Sequence, residues 1–250
     1  MKILALIPAR MCSSRFPGKP MAPILGQPMI GHVFERVSKN SILTLTAVAT
    51  CDQEIADYIE SIGGRAIMTG DHHERASDRC AEALEILEKE GLTYDIVVMV
   101  QGDEPMLHPD MISEAVEPMF KDSSCQVVNL LGKIENDTEF EDRNCIKVVC
   151  DLQSNALYFS REPIPTRSKV SDIPMGKQVC VIPFRRNFLM EYTHMEPTPL
   201  EIAESIDMMR VLEHGLKVRM APTLFNSFAV DTPADLKKVE HLMSSADRLL

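Results

Sequence analysis

Two short segments of this 250-residue chain concentrate side chains that could handle an anion and a cation bound with it. Residues 8–20 read Pro-Ala-Arg-Met-Cys-Ser-Ser-Arg-Phe-Pro-Gly-Lys-Pro. They supply two guanidinium forks (Arg10, Arg15), an ammonium (Lys19), hydroxyls (Ser13 among them) and loop amides, a donor set suited to a triphosphate. Residues 1–34 contain the cations Lys2, Arg10, Arg15 and Lys19 and no acidic residue, whereas the whole chain sums to −11. Such asymmetry calls for an anion at this end. Residues 101–105, Gln-Gly-Asp-Glu-Pro, bring carboxylates, and Asp103 could share a hard cation with phosphate oxygens. An Asp that only caps the following helix explains that segment equally well. Neither G-x-x-x-x-G-K-[ST] nor G-x-G-x-x-G occurs, so the phosphate loop is neither a Walker A loop nor a dinucleotide fingerprint.

The elements that must position these groups follow from hydrophobic period. Residues 2–8 are a continuous apolar run of strand length, the pattern of a strand buried on both faces of a parallel sheet. Helical spacing follows at Ile30, Val33, Phe34 and Val37, then an apolar run at 43–50. A second helix is expected over 53–62, stopped by Gly63 and Gly64, with a short strand at 65–68. Cys80, Ala83, Leu84 and Leu87 mark a third helix, and 94–100 a strong strand. This βαβα order predicts a parallel sheet with covering helices, whose carboxyl edge would gather both the basic loop and Asp103. Beyond about residue 120 come shorter strand candidates at 126–131, 146–150, 156–160 and 179–184, which suggest antiparallel pairs or a small subdomain. Thr198-Pro199 should open a helix running to His214 with Gly215 as its stop, and Thr232-Pro233 the last helix.

Composition narrows the function classes. With 45% hydrophobic and 25% charged residues the chain can build a core, and its acidic balance argues against nucleic acid as a partner. No apolar run approaches the roughly 20 residues that span a bilayer, nor does residues 3–7 make a signal peptide, so no membrane insertion and a cytoplasmic location are expected. Seven cysteines without a C-x-x-C pair suggest separate thiols, and adjacent His72 and His73 suggest a polar loop more than a metal site.

Four motifs carry a family resemblance. Residues 8–20 match P-A-R-x-x-S-x-R-x-P-G-K-P, 101–106 are Q-G-D-E-P-M, 156–165 match A-L-Y-F-S-R-x-x-I-P, and 230–236 match V-D-T-P-x-D-L. In this order, from residue 3 to about 240, they resemble the CMP-Kdo synthetases (3-deoxy-manno-octulosonate cytidylyltransferases). The resemblance implies an α/β, Rossmann-like nucleotidyltransferase fold of the GT-A-like kind, with a mixed, mostly parallel sheet, helices on both faces and a small antiparallel appendage in the second half. One domain over 1–250 is implied, its nucleotide part at about 1–120 and its sugar-binding and dimerisation part at about 121–225, with a homodimer as the assembly.

The implied reaction is CTP-dependent transfer of CMP to the anomeric hydroxyl of a 3-deoxy-ulosonic acid, Kdo or a close analogue such as 8-amino-Kdo. It would release pyrophosphate with Mg²⁺ as cofactor and serve lipopolysaccharide or capsule biosynthesis. Carried over to this numbering, Lys19, Arg15, Asp103 and Asp231 are the implied catalytic residues, with Asp103 and Asp231 on the metal. Pro8, Ala9, Arg10, Ser13, Ser77, Arg79, Gln101 and Gly102 join Arg15, Lys19 and Asp103 around the nucleotide. Gln101, Arg161, Gln178, Glu196, Glu201 and Glu204 are implied for the sugar, with Arg161 a natural partner for its C1 carboxylate.

The chain also departs from the pattern. Arg75-Ala76-Ser77-Asp78-Arg79 stands for S-G-T-[ED]-R, and Gln178 and Ile182 stand where the family has His and Tyr. Glu196 replaces an amide, and the segment 166–177 is shorter. These changes keep other acidic acceptors open, and Glu196 would suit an amine on the acceptor. Two other readings are a uridylyl- or guanylyltransferase, whose glycine-rich first loop is not matched here, and a nucleotide-binding homologue without activity.

Overall fold

The computed structural model describes residues 1–12, 15–169 and 173–246. The chain forms two compact units, Met1–Ile112 with Ser227–Leu250, and Ser113–Asn226.

In the first unit the apolar run becomes β1 (Ile3–Ala9), buried along nearly its whole length. A hairpin of β2 (Pro23–Ile24) and β3 (Gln27–Pro28) leads into α1 (Met29–Ser38). Then follow β4 (Leu45–Thr50), α2 (Gln53–Ser61), β5 (Arg65–Met68), α3 (Ala76–Lys89) and β6 (Ile96–Val100). The strands lie in the order β6-β1-β4-β5, and every pairing among them is parallel, with Ile3 opposite Ile96, Leu4 opposite Leu45 and Ala47 opposite Arg65. The apolar positions expected on α3 are all buried, as are Ile30, Val33 and Val37 on α1. Gly63 ends α2 in the left-handed region at φ 78°. Parallel strands place the ends of β1, β4, β5 and β6 at one sheet edge, where the loops carrying chemistry begin.

Helix α4 (Asp110–Lys121) leads into the second unit. There β7 (Val128–Lys133), α5 (Asp137–Glu141), β8 (Lys147–Cys150), β9 (Ala156–Ser160), β10 (Gly176–Val179) and β11 (Val181–Arg185) precede α6 (Arg186–Thr193). Helices α7 (Pro199–Glu204) and α8 (Asp207–Glu213) then lead to β12 (Arg219–Pro222), and α9 (Pro233–Ala246) closes the first unit. The second unit's sheet runs β12-β7-β10-β8-β9, antiparallel except for the β12–β7 pair.

Two expectations are corrected. The run 179–184 is not one strand: β10 pairs with β7 and β8, and a new strand starts after Cys180. Residues on both sides of Cys180 are apolar, so hydropathy hides the change of partner. The helix expected from 199 to 214 breaks at Ser205, which adopts φ 54°, ψ 51°. The break lets Arg210 of α8 fold back onto Glu201 of α7, an ion pair that one straight helix would not close with this bidentate geometry. Helices α5 and α6 went unpredicted. Asn136, accepting from the Glu139 N–H at 2.9 Å, is the N-cap signal that marks α5.

Candidate functional site

The basic loop begins where β1 ends, at Pro8 and Ala9. It closes on itself through a Gly18 N–H donated to the Met11 carbonyl at 3.0 Å. Gly18 sits at φ 73°, a left-handed conformation that favours glycine, and starts the short 3-10 turn Lys19–Met21. Phe16 packs on a cluster of Ile24, Met29, Val230, Val239 and Met243, which fastens the loop to α9 and the segment before it.

The Val230 N–H donates to the Asp103 carbonyl at 2.9 Å, so the loop after β6 and the segment before α9 lie side by side. This brings together Asp103 and Asp231. Lys19 Nζ lies 2.8 Å from Asp103 Oδ2 and 3.5 Å from Asp231 Oδ1, and Arg15 Nη2 donates to the same Asp231 oxygen at 2.9 Å. The Lys19 side chain is only 13% exposed, against 50% for Arg15. Asp235 Oδ2 accepts from the main-chain N–H of Asp231 and Thr232 and from the Thr232 hydroxyl, at 2.8–3.2 Å, and fixes the Asp231 backbone.

Asp52 precedes α2 but makes no side-chain bond to that helix. Its Oδ2 instead accepts from the Met11 N–H at 2.8 Å and anchors the basic loop to the end of β4. From sequence this Asp reads only as an ordinary helix cap. Arg10 donates to the His73 carbonyl at 3.2 Å, and His73 pairs with Glu82, which also accepts from the Gly70 N–H at 2.8 Å. Burial acts to raise the Glu82 pKa, but these donors and the His charges outweigh it and hold the carboxyl below its ordinary value. Arg79 is buried, with Nη1 on Thr69 Oγ1 and the Gly70 carbonyl, while its Nη2 has no partner among the described residues. Ser77 is buried near the start of α3. Gln101 and Gly102 follow β6. A Cβ at Gly102 would sit 3.2 Å from the Pro8 carbonyl oxygen, so a larger residue there would press on the end of β1 by a few tenths of an ångström. Ser13 lies outside the described residues.

The second unit gathers part of the expected sugar set. Arg161 follows β9, and its Nε, Nη1 and Nη2 donate to the carbonyls of Glu204, Arg143 and Ser205 at 2.5, 3.0 and 3.4 Å. Glu204 accepts from the Arg161 N–H, Tyr158 Oη and Ser160 Oγ. Burial and the Glu204 charge raise the Tyr158 pKa. Lys147, at the start of β8, is fully buried and donates to the carbonyls of Asp142, Cys145 and Arg161 at 2.6–2.7 Å.

The other expected sugar-binding residues are placed differently. Glu201 is fully buried, spent on a bidentate pair with Arg210 at 2.6 and 2.7 Å and on the capping box of α7, so its carboxylate holds the helix corner instead of a ligand. Gln178 donates to Asn129 Oδ1 at 2.7 Å, and Ile182 is buried. Glu196 is exposed and contributes its main-chain carbonyl to His214.

Among the described residues no group of three His, Cys, Asp or Glu could hold a metal by itself, and no helix is long and apolar enough to cross a membrane. Among the described residues none of the seven cysteines is in a disulfide.

Comparison with known proteins supplies the family. Residues 4–218 match the cytidylyltransferase family model. The 3-deoxy-manno-octulosonate cytidylyltransferase of Geobacter metallireducens is 42% identical over 255 residues, covering 98% of each chain. That of Geotalea uraniireducens is 43% identical over 250 residues, covering 96% of this chain and 98% of its own. A solved CMP:2-keto-3-deoxy-manno-octonic acid synthetase, complexed with CTP, superposes with a TM-score of 0.89 at 35% identity over 98% of this chain and 100% of its own. With the parallel sheet, the closed basic loop and the paired aspartates, these likenesses establish that the chain belongs to the 3-deoxy-manno-octulosonate cytidylyltransferase family.

Proposed function

We propose that the protein transfers CMP from CTP to the anomeric hydroxyl of 3-deoxy-manno-octulosonate and releases pyrophosphate, in the supply of activated sugar for lipopolysaccharide or capsule. The observation that carries this reading beyond family membership is the Lys19 ammonium held between Asp103 and Asp231, with Arg15 on the same aspartate. Arg10, Arg15 and Lys19 would hold the triphosphate, and the unpartnered Arg79 Nη2 supports a polar ligand group beside Thr69 and Gly70.

Asp103 and Asp231 suit Mg²⁺: both are oxygen donors that reach one ammonium within 3.5 Å. Two carboxylates completed by substrate phosphates is the usual way Mg²⁺ is held. Bound there, Mg²⁺ would neutralise phosphate charge and lower the pKa of the attacking hydroxyl. The chain's own part is positioning and charge: Lys19 and Arg15 exchange their aspartate partners for phosphate oxygens, and Arg161 orients the acceptor by its carboxylate. No side-chain base is required. We further place the protein in the cytoplasm, which suits seven cysteines that form no disulfide among the described residues. We also infer a homodimer formed through the second unit, supported by the exposed Leu152 and Leu157 on and beside β9, the last strand in its sheet order.

Pyrophosphate release, measured with each of four nucleoside triphosphates, Mg²⁺ and Kdo, tests the reading. Release with CTP alone is expected; equal release with all four, or none with CTP and Kdo, overturns it. Because the Glu196 side chain is exposed and makes no bond among the described residues, the 8-amino analogue belongs in the same acceptor panel.

A further inference from the structure

Lys147 is unusual chemically. It is 0% exposed, and all three of its ammonium protons go to main-chain carbonyls, those of Asp142, Cys145 and Arg161. None of these bonds goes to a carboxylate, although Asp142, Glu162 and Glu141 lie near enough to attract its charge. Burying a lysine is costly, and burial outweighs those attractions and pushes its pKa below the ordinary lysine value. A methionine would fill similar volume but leave those three carbonyls without this donor, so the ammonium serves to tie them together.

The three carbonyls show what it serves. Two belong to the turn before β8 and the third to Arg161 itself. Within the same turn the Arg143 carbonyl receives Arg161 Nη1 at 3.0 Å. Lys147 therefore ties down both the main chain from which Arg161 projects and the turn against which its guanidinium leans. Arg161 spends three of its five N–H groups on carbonyls. Two N–H groups, one on each terminal nitrogen, remain for a ligand such as a carboxylate. The hydrogen-bond acceptors of both cations are neutral carbonyls, while the Glu204 carboxylate beside them accepts from two hydroxyls and the Arg161 main-chain N–H.

We propose that Lys147 is a positioning residue for the acceptor's carboxylate: its buried ammonium locks the 142–145 turn and the Arg161 main chain so that the Arg161 fork stays aimed. This rests on the reading of Arg161 as the carboxylate partner, and the test separates the two. Kinetic constants are measured for wild type, Lys147→Met, Lys147→Gln and Arg161→Met. Inhibition is measured with two acceptor analogues, one keeping the C1 carboxylate and one reduced there to an alcohol.

The Lys147 variants are expected to raise the acceptor KM at least tenfold and leave the CTP KM within twofold. The penalty should fall below threefold for the alcohol analogue. Parallel rises in both KM values, or equal penalties for both analogues, would show that Lys147 only supports the fold. An unchanged acceptor KM in Arg161→Met would overturn the Arg161 reading itself. A raised KM in Arg161→Met with unchanged Lys147 variants would overturn the Lys147 proposal alone. Should neither Lys147 variant fold, hydrogen exchange on the wild type decides: acceptor binding must slow exchange at residues 142–147, and no slowing overturns the proposal.

Discussion

Two lysines in the two units are held in opposite ways. Lys19, in the first unit, is charge-paired with Asp103 and Asp231. Lys147, in the second, touches only neutral carbonyls, as does the Arg161 guanidinium beside it. A site whose cations are already neutralised does not attract an anion by net charge. It suits a polyanion that brings its own cation, so that the aspartates gain a metal as the lysine gains phosphate. A site whose cations give their hydrogen bonds to neutral carbonyls suits a single carboxylate arriving alone. The two halves of the proposed reaction, metal-bound triphosphate and sugar acid, correspond to these two electrostatic designs.

The largest effect expected from breaking the contrast is in the first unit. Asp103→Asn or Asp231→Asn leaves the loop hydrogen bonds in place but removes charge from the metal side. Each should lower kcat by at least about a hundredfold, roughly 3 kcal/mol of barrier, with the unfolding temperature little changed. Near-normal pyrophosphate release from either variant would remove the metal role of that aspartate. A smaller effect is expected from Asp52→Ala. It frees the Met11 N–H and loosens the basic loop at one anchor, and should raise the CTP KM about three- to tenfold while leaving the acceptor KM unchanged. A change in the acceptor KM alone would mean that Asp52 does not act through the loop.

Much of the first unit was legible because its signals are local. Apolar runs bounded by turn residues gave β1, β4, β5 and β6, helical spacing gave α1 to α3, and the cations of residues 8–20 announced an anion before any fold was known. The approach of Asp231 to Asp103 was not legible in spacing. It depends on one main-chain bond between residues more than a hundred positions apart, and only the V-D-T-P-x-D-L resemblance pointed to it. The second unit resisted for another reason. Glu201 lies in a motif and suggests a ligand group, yet its carboxylate closes a helix corner around Ser205, a residue that looks like any other helical position. Lys147, in a strand of mixed polarity, looks like a solvent-facing residue and is fully buried. Charge at a corner or under a turn is set by which carbonyls the fold leaves unpaired, information that no local pattern contains.

The contrast between the two sites is tested most directly by calorimetric titration of CTP and, separately, of Kdo into the protein, each with Mg²⁺ and with a chelator. CTP affinity is predicted to fall at least tenfold on chelation, and Kdo affinity to change less than twofold. Equal losses for both ligands, or none for CTP, would contradict the assignment of a metal-bound triphosphate to the aspartate-paired Lys19 and a lone carboxylate to Arg161.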